Sequence, residues 1–210
     1  SGGDGNDVIN GNAGSDTLAD GAGSDEVVGG SGDDVVMAGE GDDVYNGGSG
    51  FDTIDFSNAS GSMNIDMSKK TADGMGHDSL AKFEMVIGSS FDDVMKGSSA
   101  GEHMAGGEGN DTMRGLGGAD VLTGDAGNDT FVWFKKDLGA LDHVTDFNVG
   151  DTLDLHDLLK GNADLMKITD GAYGSTISVN IGGQYMDVVT LDGVHNANAS
   201  DMLKAGMILA

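Results

Sequence analysis

The chain has 210 residues, 38 of them glycine, with no proline and no cysteine, and its 36 acidic and 10 basic side chains leave a formal charge of −26. These figures exclude collagen, which needs proline and a three-residue glycine period, disulfide scaffolds and thiolate chemistry, and binding to nucleic acid or anionic membrane, which needs Lys and Arg. No apolar run approaches the ~20 residues of a membrane span, and self-repulsion of this size opposes any compact state that lacks neutralising cations.

From Gly2 the chain repeats every nine residues: GGDGNDVIN, GNAGSDTLA, DGAGSDEVV, GGSGDDVVM, AGEGDDVYN, GGSGFDTID. A second run starts at Gly88 and ends at Val132: GSSFDDVMK, GSSAGEHMA, GGEGNDTMR, GLGGADVLT, GDAGNDTFV. The consensus is G-G-x-G-x-D-x-U-x, with U large and apolar, and a fixed period of this kind signals stacked repeats. Ten of the eleven units keep Asp at position six, and Glu102 stands in the other. The early glycines permit positive φ and a sharp turn. The last three residues read as a short strand with position eight inward: Ile9, Leu18, Val27, Val36, Tyr45, Ile54, Met95, Met104, Met113, Leu122 and Phe131. Such strands cannot bury a face alone, so the units must stack. Two units close one coil, which places units i and i+2 on the same side. Each turn then offers one carboxylate and several backbone carbonyls, hard oxygens that suit Ca²⁺.

These repeats resemble the RTX (repeats-in-toxin) family. The resemblance implies an all-β fold, a right-handed parallel β-roll with Ca²⁺ between successive turns. It assigns the metal-binding carboxylates to Asp7, Asp16, Asp25, Asp34, Asp43 and Asp52 in the first block. In the second block they are Asp93, Asp111, Asp120 and Asp129. Carbonyls of the glycine-rich segments join them, represented by Gly5, Gly14, Gly23, Gly32, Gly41, Gly50, Gly109, Gly118 and Gly127. Pairing each unit with the next but one gives about seven Ca²⁺ ions, four in the first block and three in the second, and would bring −26 to about −12. Glu102, with Ala100 for glycine, and Phe91 at position four depart from the pattern.

The chain divides by composition into 1–55, the first roll block; 56–87, a β-rich insert; 88–132, the second block; and 133–210, a C-terminal cap. In the insert, Ser62–Met67 and Phe83–Ile87 read as strands, and the resemblance to RTX arrays implies that such an insert continues the roll in longer coils. In the tail, 144–147, 151–155, 172–180 and 184–191 read as strands, the last two joined by a Gly182-Gly183 hairpin turn. A short helix is expected from an N-cap at Ser200 through Lys204, stopped at Gly206. This tail is similar to the C-terminal region of type I secretion substrates, above all large bacterial RTX adhesins. The residues that carry the likeness are Asp142-x-Val144-x-Asp146-Phe147, Gly150-Asp151, Leu153-Asp154-Leu155 and the short helix with its apolar end.

No secretory signal peptide opens the chain, and it begins inside a repeat, so it reads as part of a longer protein. His77, His103, His143, His156 and His195 form no H-E-x-x-H, and G-x-S-x-G is absent, so no enzyme is expected here. The expected function is a Ca²⁺-binding module that folds outside the cell and supports type I secretion of a larger protein from a Gram-negative bacterium. Its partner would be the ABC-transporter exporter, with no nucleic acid, no membrane insertion and a monomeric state. Two alternatives stand beside this one: a surface or polysaccharide-binding module, and the non-catalytic tail of a secreted hydrolase or epimerase.

Overall fold

The computed structural model describes all 210 residues. The nine-residue period becomes two stacked parallel sheets, because strands recur at alternate units and residue i pairs with i+18. Val27 lies beside Ile9 and Tyr45, and Val36 beside Leu18 and Ile54. One sheet runs in the order Val8–Ala13, Glu26–Ser31, Val44–Ser49, His77–Ala81, Thr71–Asp73, Asn64–Asp66, Val94–Lys96, Thr112–Arg114, Thr130–Val132, Thr152–Asp154, Ile208–Leu209. The other runs Thr17–Ala19, Val35–Met37, Thr53–Asp55, Met85–Ile87, His103–Glu108, Val121–Ala126, Asp142–Val144, Gln184–Asp192, Gly174–Ile181, Met166–Asp170. The fold is an all-β parallel roll with two short helices, His156–Leu159 and Ala199–Lys204.

The core lies between the sheets and is built from position eight. Val27, Val36, Tyr45, Ile54, Met113, Leu122 and Phe131 are fully buried there, while Ile9, in the first coil, is only partly covered. Stacking supplies that burial, since a three-residue strand has no second layer of its own. Ile65, Leu80, Val86, Val144 and Leu153 continue the same column through segments where the nonapeptide is lost.

The insert departs from the expected longer coils. Asn64–Asp66, Thr71–Asp73 and His77–Ala81 form an antiparallel meander. The chain leaves Thr53–Asp55, skips ahead to lie beside Val94–Lys96, and then works back to Val44–Ser49. The facing sheet has a single strand, Met85–Ile87, over the same interval. The expected strand at Ser62–Met67 is confined to Asn64–Asp66 by the turn Met67–Lys70, where Asp66 accepts from the Lys69 N–H and from the Lys96 ammonium. Although burial works against it, those bonds and one from Ser68 hold the Asp66 carboxyl well below its ordinary range.

The tail extends both sheets. Gln184–Asp192 pairs in parallel with Asp142–Val144, and Ile208–Leu209 with Thr152–Asp154. Gly182 and Gly183 both have positive φ, 67° and 94°, as a two-residue hairpin turn requires. The helix cap is Asn198, not Ser200: its side chain accepts from the Ser200 and Asp201 N–H groups, and Ser200 itself lies inside the first turn. Arg114 fastens the start of the tail, donating from two nitrogens to Asp137 at 2.8 Å each and lying 4.2 Å from the centre of the Phe134 ring.

Candidate metal centre

The position-six carboxylates form two ladders along the roll, one on each turn edge. In the first, the Asp7 N–H donates to Asp25 Oδ1 (2.6 Å), Asp25 to Asp43 (2.7 Å) and Asp43 to Asp78 (3.1 Å). On the other edge Asp16 donates to Asp34 (2.8 Å), Asp34 to Asp52 (2.9 Å) and Asp52 to Glu84 (2.8 Å). The second block repeats this. Asp93, Asp111, Asp129 and Asp151 form one series, and Glu102, Asp120 and Asp142 the other. One oxygen of each acceptor carboxylate is therefore spent on the preceding turn.

Asp43, Asp142 and Asp151 bond their other oxygen to Tyr45, Trp133 and Asn148, but most have no such use for it. Oδ2 of Asp7, Asp16, Asp25, Asp34, Asp52, Asp78, Asp111, Asp120 and Asp129 is buried and meets no donor. A buried, unpaired carboxylate oxygen is strongly disfavoured unless a cation or proton sits against it. The backbone is cut to fit such a guest. A Cβ added at Gly29 would lie 2.5 Å from Asp34 Oδ2 and 2.4 Å from the Gly47 carbonyl oxygen. An oxygen of each chemical type thus converges where a side chain would otherwise begin. Hard carboxylate and carbonyl oxygens are the donors Ca²⁺ prefers.

Two turns are finished differently. The Ser89 N–H and hydroxyl bond the two oxygens of Asp93 at 2.5 and 2.7 Å. The Ser98 N–H and hydroxyl hold Glu102 in the same way. These are the units whose sequences depart most from the repeat, and in them serine at position two takes the place of an outside partner.

The glycines Gly5, Gly14, Gly23, Gly32, Gly41, Gly50, Gly109 and Gly118 all have φ between 105° and 141°; Gly127 does not share it. Their carbonyls point along the stack: a Cβ at Gly41 would come 1.7 Å from the Gly23 oxygen, and one at Gly127 1.6 Å from that of Gly109. Beside the unpaired oxygens themselves stand the position-one glycines, such as Gly11, Gly29, Gly106 and Gly115. Sequence reasoning also missed Asp78, Glu84, Asp142 and Asp151. The signal for them was present, since Asp78-x-Leu80, Glu84-x-Val86, Asp142-x-Val144 and Asp151-x-Leu153 all keep the acid and the inward apolar residue two positions apart. An outer ladder at position five was unforeseen as well: Asp33 accepts from the Phe51 N–H, Asp92 from Asn110 and Asn110 from Asn128. His103 is exposed, as its outward position implies, and stands edge-on to Phe51.

Burial, reinforced by neighbouring carboxylates, pushes Asp78, Asp111 and Asp120 up to about 7 and Asp129 to about 6. A carboxyl raised above its unfolded value near 4 stabilises the fold in full below that value, and loses the effect as pH rises through 6–7. The calcium-stripped chain is therefore expected to resist urea better at pH 5 than at pH 8. Equal or greater resistance at pH 8 would contradict these environments.

A pair of substitutions tests the stacking. Asp34 accepts from Asp16 and donates to Asp52, whereas the carboxylate of Asp7 accepts from no earlier turn. Asp34→Ala should raise the calcium midpoint for folding several-fold more than Asp7→Ala, as losing a buried charged acceptor costs about 1–3 kcal/mol. Equal shifts in a circular-dichroism titration would show that the turns act independently.

A parallel roll with stacked, unpaired carboxylates on its turns is the architecture of a calcium-binding repeat module. The family model of the RTX calcium-binding nonapeptide repeat matches residues 1–36, 20–54 and 96–131, so both blocks are RTX repeats, and repeats of this family bind Ca²⁺. No curated protein matches the chain in sequence. Among solved structures it is similar to the extracellular lipase LipA from Serratia marcescens, at 20% identity and a TM-score of 0.30. That match covers 100% of this chain and 39% of the lipase chain, so the chain spans well under half the length of that protein. No helix is long and apolar enough to cross a membrane.

Proposed function

We propose that the chain is the calcium-dependent folding module of a larger secreted protein, unfolded where Ca²⁺ is scarce and folded once outside the cell. The observation that carries this reading is the set of nine buried carboxylate oxygens without a partner, spaced along both turn edges. The ions would be held by Asp7, Asp16, Asp25, Asp34, Asp52, Asp78, Asp111, Asp120 and Asp129, helped by carbonyls of the position-one glycines. They would supply positive charge between like-charged turns. Extracellular calcium modules bind at about 10⁻⁴–10⁻³ M, so the switch is set by the compartment. The module has a structural role and no catalytic one.

Export follows from the same property. A chain that stays unfolded inside the cell can thread a narrow type I exporter, and each coil that folds outside opposes backsliding. The likeness of 142–155 and the terminal helix to type I substrates, adhesins above all, supports placing the export address in the tail. The parent we favour is a surface adhesin of a Gram-negative bacterium. Deleting 200–210 should abolish export of a passenger fused upstream while leaving calcium binding by 2–55 intact. Normal export of that deletion would reduce the segment to a structural end-piece.

A further inference from the structure

Position one is glycine in nine of the eleven repeats. The exceptions are Asp20 and Ala38, which open successive units on the same turn edge. In seven of those nine units this glycine leaves room for the unpaired oxygen of its own turn. Here the room is used by a second acid, for Asp20 is fully buried and its Oδ1 accepts from the Gly21 N–H at 2.9 Å. Its Oδ2 lies 2.5 Å from the hydroxyl of Tyr45, the inward position-eight residue of the unit that begins at Ala38. The same hydroxyl is 3.0 Å from Asp43 Oδ2 and accepts from the Gly39 N–H at 3.2 Å.

A phenol has one proton to give, and two carboxylates stand at bonding distance from it. Asp20, Asp25 and Asp43 each place an oxygen within 4.8 Å of the others, all three at most 4% exposed. Asp25 Oδ2, buried beside them, meets no donor. No basic side chain pairs with any of the three, and the first Lys or Arg of the chain is Lys69. Two of the three buried carboxylates thus share a single hydroxyl proton, and the third has an oxygen with no donor at all. A cavity of about 250 Å³ is lined by Asp20, Gly39, Glu40 and Met75, so one acid of the cluster borders it.

We propose that Asp20, Asp25 and Asp43 form a divalent-cation site in which the stacked pair Asp25 and Asp43 is joined by a third carboxylate, Asp20, from position one. Tyr45 is its positioning residue, tying the acids of two successive coils together from the core side. The inference rests on the calcium-module reading and deepens it, since affinity for Ca²⁺ rises with the number of charged ligands and the rigidity of the site. This site fills first among the ions of the first block.

The test is a calorimetric Ca²⁺ titration of the calcium-stripped full chain, read beside circular dichroism and tyrosine-sensitised Tb³⁺ emission. The expected isotherm shows one class of site on the order of tenfold tighter than the rest, filled together with early Tb³⁺ emission. Asp20→Asn removes that class and the early emission, while the remaining ions still fold the chain. Asp20→Gly restores the residue found in nine other units, so it guards against a folding defect, and it should behave in the same way. Asp4→Asn, an exposed acid of the same block, controls for the loss of one charge and should leave both readouts unchanged. If Ca²⁺ folds the chain but both Asp20 variants bind like the parent, this proposal fails and the module reading stands. If the unsubstituted chain binds no Ca²⁺, the module reading itself fails.

Discussion

Stripped of Ca²⁺ at pH 8, the chain should lose most of its β-sheet circular dichroism, and millimolar Ca²⁺ should restore it. The opposing terms are unequal. Each buried unpaired polar group costs about 1–3 kcal/mol, more when charged, and nine such oxygens lie in the fold. Many of the strands that would resist are three residues long, and their burial exists only while neighbouring coils are in place. Ions held by the folded chain alone turn binding energy into folding energy. A native-like spectrum in the stripped chain at pH 8 would overturn the reading.

The second large effect should come from one methyl group. A Cβ at Gly115 would lie 2.1 Å from Asp120 Oδ2 and 2.7 Å from its Cγ, in the space where the unpaired oxygen looks for a cation. Asp120 is fully buried and stacked between Glu102 and Asp142, so it has little freedom to retreat. Overpacking costs about 1–3 kcal/mol, which at 1.4 kcal/mol per decade is about a five- to hundredfold rise in the calcium midpoint. Gly139→Ala, where an added Cβ meets nothing within 4 Å, is the control and should leave the midpoint unchanged. Equal midpoints for the two variants would show that the space beside Asp120 plays no part in binding.

The spacing of like residues made much of this legible beforehand. A nine-residue period with an acid at six and an apolar residue at eight defines turn, strand and inward face, and the stacked pairs Asp16–Asp34 and Asp34–Asp52 follow from it. The insert was harder because its order in space reverses its order in the chain. His77–Ala81 lies before Asn64–Asp66 in the sheet, and no local pattern records that. The extra rungs at Asp78 and Glu84 were hidden by reading the repeat as a nonamer, when the unit that matters is the three-residue step from acid to apolar side chain. Position one looked like a turn glycine among others, and only its distance to the neighbouring carboxylate reveals what it keeps clear. The cap at Asn198 was missed because Ser200 and Asn198 are both good caps by composition, and the register of the helix decides between them.

The serines that finish Asp93 and Glu102 give the array a grain that runs across it. In a linear assembly each coil depends on its neighbours, and a wave of folding travels only as far as the coupling holds. The coil carrying Ser89 and Ser98 satisfies its own acids and needs no cation to close. It can form early and lend a ready-made edge to both sides at once, so that the stretch before it and the stretch after it grow outward from a shared seam. The steepness of the response to calcium is then governed by the length of one stretch rather than by the whole column. Lengthening either run of repeats would sharpen its own transition and leave the other where it was.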